Sequence, residues 1–456
     1  MKRRNLFYAL IWTTICSQVT TSAVASTATL HNGVALPLVG LGVGNLAPPL
    51  LVKQVPVAVR EYGYQLIDTA HASQNEADIR KSLSSVGRND TASLRRSSSS
   101  SSSSQATAMD DHFEIHIVTK VWYTHLGYSR TVISAKESCE ALQTNDDTRT
   151  TPVLHMLLHW PRCRNDISWM NCEQEEYNLP NNVKEAGPAP HLDPDHAFLE
   201  SWRALEDLYE ASSESSADLS LLSIGVSNFD LEDLQLLEEN ARIMPHIIQL
   251  NVWAVVFDPH LMEYCQKHHI HVQVYNIMNG IVGSRDSAPN AFELLWAVAH
   301  DLQKQHGAGT GNITPSQVVM AWLTQQGISV IPRTSKIEHL ESNAPVTITS
   351  IPTLTPEQQD KVVMAVRALL TGRDLEPPTA RFYNDHPSDV LHLFWLHADT
   401  REEIPVQLDL ARGEHFDTRT FPGHVFVAYN GDKDQRREFT ISASYGEEQE
   451  WVIDEL

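Results

Sequence analysis

The chain has 456 residues, 42% of them hydrophobic, and a formal net charge of -23 at pH 7. That length exceeds one ordinary domain and suits a barrel of about 250 to 350 residues with an appended module. The acidity repels phosphate backbones, so nucleic acid is not expected as a partner.

At the N-terminus, Lys2, Arg3 and Arg4 precede the apolar run Leu6 to Cys16, and Ala23-Val24-Ala25 offers small residues for cleavage. Residues 1–25 therefore read as a secretory signal peptide. The run is shorter than the roughly 20 apolar residues a membrane helix needs, and no later segment reaches that length, so no membrane span is expected. Thr29 to Pro37 alternates around Asn32-Gly33, a strong hairpin signal. A strand at Leu38 to Val43, a helix near Leu51 to Glu61 and a strand at Gln65 to Asp68 follow. Residues 88–111 are Ser-rich and cannot supply a core, so disorder is expected there; Asn89-Asp90-Thr91 is a glycosylation sequon within them. Further strands are predicted at Ile115 to Lys120 and Val153 to His159.

An insertion at 162–195 leaves the C-terminal end of that last strand, where barrel enzymes keep their chemistry, and is expected to roof a substrate cleft. It carries Cys163, Trp169, Cys172 and Tyr177. Helix Ala197 to Glu210 places Phe198, Trp202, Leu205 and Tyr209 on one apolar stripe, which is core. Strands at Leu221 to Val226, His246 to Gln249, Ile270 to Tyr275 and Ile328 to Pro332 alternate with helices at Leu231 to Ala241, Pro259 to His268 and Pro315 to Gln325. Thr314 reads as the cap of the last helix, which competes with the sequon Asn312-Ile313-Thr314. The alternation predicts an α/β chain folded as a (β/α)8 TIM barrel over 29–372. Beyond Pro377-Pro378 short alternating strands replace helices, which predicts an all-β sandwich-like domain over 380–456.

Cys16 lies in the signal peptide, leaving Cys139, Cys163, Cys172 and Cys265 for an oxidising compartment. Cys163 and Cys172 lie within one insertion while Cys139 and Cys265 fall on separate predicted helices, so of the three possible pairings the one with the local Cys163–Cys172 bridge is expected. No C-x-x-C or paired Cys and His spacing accompanies them, so no metal site is expected. The terminal Ile453-Asp454-Glu455-Leu456 resembles a receptor-read retention signal, which points to the endoplasmic reticulum lumen.

Four strands end in polar side chains: GYQLIDTAHASQNE (Gly63 to Glu76) in Asp68, IVTKVW in Lys120, HMLLHWP in His159 and SIGVSNF in Ser227 and Asn228. Together they resemble the aldo-keto reductase family from about His31 to Leu370. The resemblance implies a catalytic set of Asp68, Lys120 and His159. It also implies an NADP cofactor whose carboxamide meets Ser227, Asn228 and Gln249 and whose ring stacks on Tyr275. In IPRTSKIEHLESN, Arg333 and Thr334 fall at the places that contact the 2'-phosphate and Asn343 at the adenine contact, while His339 stands where an arginine is usual. An Arg fork suits phosphate.

The family's tyrosine is replaced by Ser73, an aliphatic hydroxyl far less acidic than a phenol. Carbonyl reduction needs a hydride donor and a proton donor at the carbonyl oxygen. Tyr123, on the loop leaving the Lys120 strand, and His159 are the alternative donors. One reading is an NADP-dependent reductase of a small-molecule carbonyl substrate, aldehyde or ketone. The other is a nucleotide-binding protein impaired in catalysis.

The C-terminal stretch with FWL, the turn Ala411-Arg412-Gly413-Glu414 and TFPGH resembles the β domain of the von Hippel-Lindau tumour suppressor. That resemblance implies a pocket for a hydroxyproline-containing peptide at Trp395, Thr420 and His424.

Overall fold

The computed structural model describes residues 26–86, 113–143, 150–187, 189–212, 220–306, 312–397 and 400–456. The expected signal peptide 1–25, the Ser-rich segment 88–111 and the Asn89 sequon lie outside the described residues.

Strands β1 (Thr27–Thr29) and β2 (Ala35–Pro37) pair antiparallel, with Gly33 at φ 88°, a backbone state that glycine reaches without strain. Eight parallel strands follow. They are β3 (Leu41–Gly42), β4 (Leu66–Asp68), β5 (Phe113–Val121), β6 (Thr150–Leu158), β7 (Leu221–Ser227), β8 (Ile247–Asn251), β9 (His271–Tyr275) and β10 (Ser329–Val330). They neighbour one another in chain order, and parallel bridges Val39 to Val330 and Gly42 to Arg333 join the first to the last, so the sheet closes. The first and eighth strands are shorter than the sequence suggested, and bridges rather than a continuous ladder make the seam.

Period-2 alternation explains the interior of this barrel. Leu66, Val118, Leu157, Ile247 and Ile331 form one buried cluster with Leu30 and Leu36 of the β1–β2 hairpin. At Gly225 a Cβ would lie 2.3 Å from the Ile247 carbonyl oxygen, so only glycine lets β7 and β8 approach this closely. Helix Pro194–Ala211 buries Phe198, Trp202 and Leu205 as its stripe required, while Tyr209 accepts a hydrogen bond from Asn32 Nδ2 at 3.0 Å. Thr314 caps helix Pro315–Thr324 in a reciprocal pair with Gln317. Among the described residues no helix is long and apolar enough to cross a membrane.

The chain divides into two compact units, 1–283 with 295–363 and 284–294 with 364–456. The second unit carries a three-stranded sheet of β11 (Thr379–Asn384), β14 (His415–Arg419) and β17 (Glu448–Ile453), and a four-stranded sheet of β12 (Val390–Leu396), β13 (Glu403–Ala411), β15 (Val425–Asn430) and β16 (Arg436–Thr440). Ala380, Phe382 and Ile453 from the first sheet and Leu391, Leu393, Phe426 and Phe439 from the second share one buried core.

Candidate functional site

A cleft of about 1210 Å³ opens where the barrel strands end. Its floor is a buried ion pair. Asp68 closes β4 and Lys120 sits one residue before the end of β5, and their Oδ1 and Nζ atoms are 2.7 Å apart. Lys120 is 3% exposed and Asp68 8%, so each depends on the other for charge compensation. Lys120 also donates to the Thr69 carbonyl at 2.6 Å, and Gln249 Nε2 donates to the same Asp68 oxygen at 2.7 Å. A lysine has three donors, so one N–H of Lys120 is left over for the cleft it lines.

His159 follows β6. Burial, then the Lys120 charge, push its pKa well below the ordinary imidazole value, so the ring is neutral at pH 7. Its Nδ1 is buried without a hydrogen-bond partner, an unsatisfied polar atom beside the cleft that the residue lines. Asn228, at φ 60°, ties three strand ends together. Its Nδ2 donates to the His159 carbonyl at 2.9 Å, its backbone N–H donates to the Gln249 carbonyl at 3.0 Å, and its Oδ1 accepts from the Tyr275 hydroxyl at 2.6 Å. Asparagine tolerates this left-handed backbone better than most residues.

Further along, Arg333, Thr334, Lys336, His339 and Asn343 line the same cleft. Arg333 is exposed and donates from Nη1 to the Gly44 carbonyl at 3.1 Å, which orients the fork while leaving other N–H groups of its five. Thr334 Oγ1 accepts from the Lys336 backbone at 3.0 Å and lies 3.2 Å from His339 Nδ1.

Nine of the sequence-derived residues, Asp68, Lys120, His159, Asn228, Gln249, Tyr275, Arg333, Thr334 and Asn343, thus line one cleft, together with Ser73. Ser227 does not reach its wall: it is fully buried, and its Oγ accepts from Asn228 Nδ2 at 3.1 Å, so it supports the neighbour instead. Tyr123, the alternative proton donor, is not among the residues that line the cleft. Its hydroxyl bonds to Glu175 on helix Cys172–Asn178, and burial with that carboxylate raises its pKa further. An aromatic wall was not fully foreseen. Trp122 packs edge-on to His159 with ring centres 4.8 Å apart, and Trp169, 57% exposed, packs edge-on to Trp160 at 5.9 Å. Trp122 and Trp160 lie within two residues of the ends of β5 and β6, close to Lys120 and His159 in the chain, and that position was the available signal.

Trp169 comes from the 162–195 insertion, which is closed by a Cys163–Cys172 disulfide with Cα atoms 5.9 Å apart; Cys139 and Cys265 are free and buried. In the second unit, Thr420 Oγ1 lies 3.1 Å from His424 Nδ1, and the Trp395 and His424 ring centres are 5.2 Å apart. Trp395 Nε1 is buried with no partner.

Comparison with known proteins adds four findings. The model of the aldo/keto reductase family matches residues 39–363. The NADPH-dependent aldose reductase GRE3 of Saccharomyces cerevisiae is 27% identical over 362 residues, covering 77% of this chain and 96% of that protein. The 9,11-endoperoxide prostaglandin H2 reductase of Trypanosoma cruzi is 25% identical over 315 residues, covering 69% and 83% respectively. Among solved structures, the aldose reductase of Schistosoma japonicum superposes with a TM-score of 0.51 at 22% identity over 75% of this chain and 92% of that one, a likeness of fold.

Proposed function

The chain belongs to the aldo/keto reductase family, and from that premise we propose that it is an NADP(H)-dependent reductase converting a small aldehyde or ketone to an alcohol. The observation that carries this reading is the 2.7 Å Asp68–Lys120 pair beside His159 at the floor of a cleft whose other end presents Arg333. A nicotinamide bound there would supply the hydride. Gln249 has both amide donors engaged, on Asp68 and on Gln273 at 2.7 Å each, so its carbonyl oxygen is what it offers to a carboxamide. Asn228 sits beside it, and Tyr275, anchored by its hydroxyl, presents its ring. Arg333, with Thr334 and Asn343 beside it, forms a cationic end suited to a ribose phosphate.

At the substrate end, neutral His159 and the spare N–H of Lys120 flank the position of the carbonyl oxygen. Trp122, Trp160 and Trp169 exclude water from one side and favour a substrate with an apolar body. The alcohol's proton comes from the Lys120 side, directly or through a water in the space a phenol would fill. Placement in the secretory pathway, in the endoplasmic reticulum lumen, is part of this proposal, and the Cys163–Cys172 bridge supports it.

Ser73 supports a second reading, a nucleotide-binding protein without turnover. Its binding activity would then rest on the second unit. There the Trp395, Thr420 and His424 cluster, with its unpartnered indole N–H, suits a hydroxyproline-containing peptide as the von Hippel-Lindau resemblance implies. Two measurements on the full chain decide between them: calorimetry with NADP, and NADPH oxidation across a panel of reactive aldehydes. Binding with turnover supports the reductase. Binding without turnover transfers the chain to the second reading, and no NADP binding rejects both.

A further inference from the structure

Outside the cleft, three side chains from three separate elements meet. His71 opens the turn His71–Ser73, His125 closes the turn Tyr123–His125, and Glu137 lies in helix Tyr128–Leu142. One ligand atom from each lies within 4.8 Å of the others. His71 Nε2 is 3.0 Å from Glu137 Oε2, and the two imidazole centres are 4.9 Å apart in an edge-on arrangement. A tetrahedral ion with bonds of about 2.0–2.2 Å to two imidazoles and a carboxylate holds its ligand atoms roughly 3.3 Å apart. A small inward movement of the exposed Glu137 and the half-buried His71 reaches that spacing.

The surroundings favour coordination. His125 Nδ1 lies 3.0 Å from Thr124 Oγ1, which accounts for that ring nitrogen and leaves Nε2 to coordinate; metal-binding imidazoles are commonly oriented by such an outer contact. The His125 carbonyl is pinned by Thr131 Oγ1 at 3.0 Å, so this buried ligand is preset. Arg130 would repel a cation, but its guanidinium is held by both oxygens of Glu176 at 2.8 Å each.

We propose that His71, His125 and Glu137 bind a divalent cation of the zinc type, with water in the fourth position. The ion clamps the turn that also brings Ala72 and Ser73 to the cleft wall against the chain leaving β5. The site is independent of the reductase reading.

The test uses untagged full-length protein stripped with chelator and titrated with Zn²⁺ alone by calorimetry, then with Co²⁺ followed by absorption. The expected result is one tight site, an intense tetrahedral Co²⁺ band and a rise in Tm with Zn²⁺. His71→Ala and Glu137→Gln should each weaken binding by roughly tenfold or more and abolish the Tm rise. His125→Ala removes a buried ring and can unfold the chain, so the two more accessible positions carry the test. Zinc bound with equal affinity by wild type and both variants would place the metal on other side chains, absence of the Co²⁺ band would show that no tetrahedral site forms, and either would overturn the proposal.

Discussion

A serine hydroxyl sits on one methylene and hardly ionises, whereas a phenol reaches across a ring and titrates near 10. In the proposed reading Ser73 stands where the family's tyrosine is expected, and that difference would limit catalysis while leaving intact, at 2.7 Å, the Asp68–Lys120 pair that would tune a phenol. Ser73→Tyr should therefore raise kcat for a reactive aldehyde by roughly 100-fold, the usual scale of a positioned general acid. An unchanged kcat in a variant that still binds NADP would show that the cleft no longer aligns a carbonyl with that position. Arg333 makes the second residue-scale prediction. Its guanidinium should meet only the extra phosphate, so Arg333→Ala should weaken NADP roughly tenfold or more while leaving NAD nearly unchanged. Equal losses for both cofactors in calorimetry would refute the assignment.

At the scale of elements, the insertion is docked by two carboxylates of helix Cys172–Asn178. Glu175 accepts from Trp122 Nε1 at 2.7 Å and from the Tyr123 hydroxyl, and Glu176 holds Arg130. Tyr123 is thus a fastener of the roof. Tyr123→Phe should leave kcat intact and lower stability by about 1–3 kcal/mol, since a half-satisfied Glu175 stays under the insertion. Denaturant melts and steady-state rates measure the two together, and a large fall in kcat would restore Tyr123 as the acid. The sequence showed that Tyr123 leaves the catalytic end of β5, because strand ends and barrel faces follow from period and order. Which way the ring turns depends on Glu175, 52 residues away in the chain, and no local pattern records that. The same holds for Ser227: its strand end was legible, its burial behind Asn228 was not. The His71, His125 and Glu137 cluster was equally invisible, since its three residues share no metal-binding spacing.

The whole barrel carries a polar layer beneath its site, on residues four positions before Lys120, His159, Ser227 and Tyr275. His116 precedes Lys120, His155 precedes His159, Ser223 precedes Ser227 and His271 precedes Tyr275, each on the same strand face. They are linked sideways: His116 Nδ1 to His155 Nε2 at 2.9 Å, His155 Nδ1 to Ser223 Oγ at 2.7 Å, and His271 Nε2 to Ser329 Oγ at 2.7 Å. Burial, with the fields of His116 and His246, lowers His155 to about 3. Burial and His31 lower His246 to about 4, and burial lowers His271 to about 4. All three are neutral in the fold, while the unfolded chain takes up protons near 6.5. Where the unfolded state binds more protons, stability rises with pH. Stability is therefore full above about pH 6.5 and falls as pH drops toward 4 and then 3, by on the order of 1.4 kcal/mol per pH unit for each histidine. Denaturant melts of the full chain should show a midpoint that declines steeply between pH 7 and pH 5. His155→Asn, which keeps polarity in the layer without a titrating ring, should flatten that decline even if it lowers stability at pH 7. A variant whose decline is as steep as that of wild type would show that the acid sensitivity lies elsewhere in the chain.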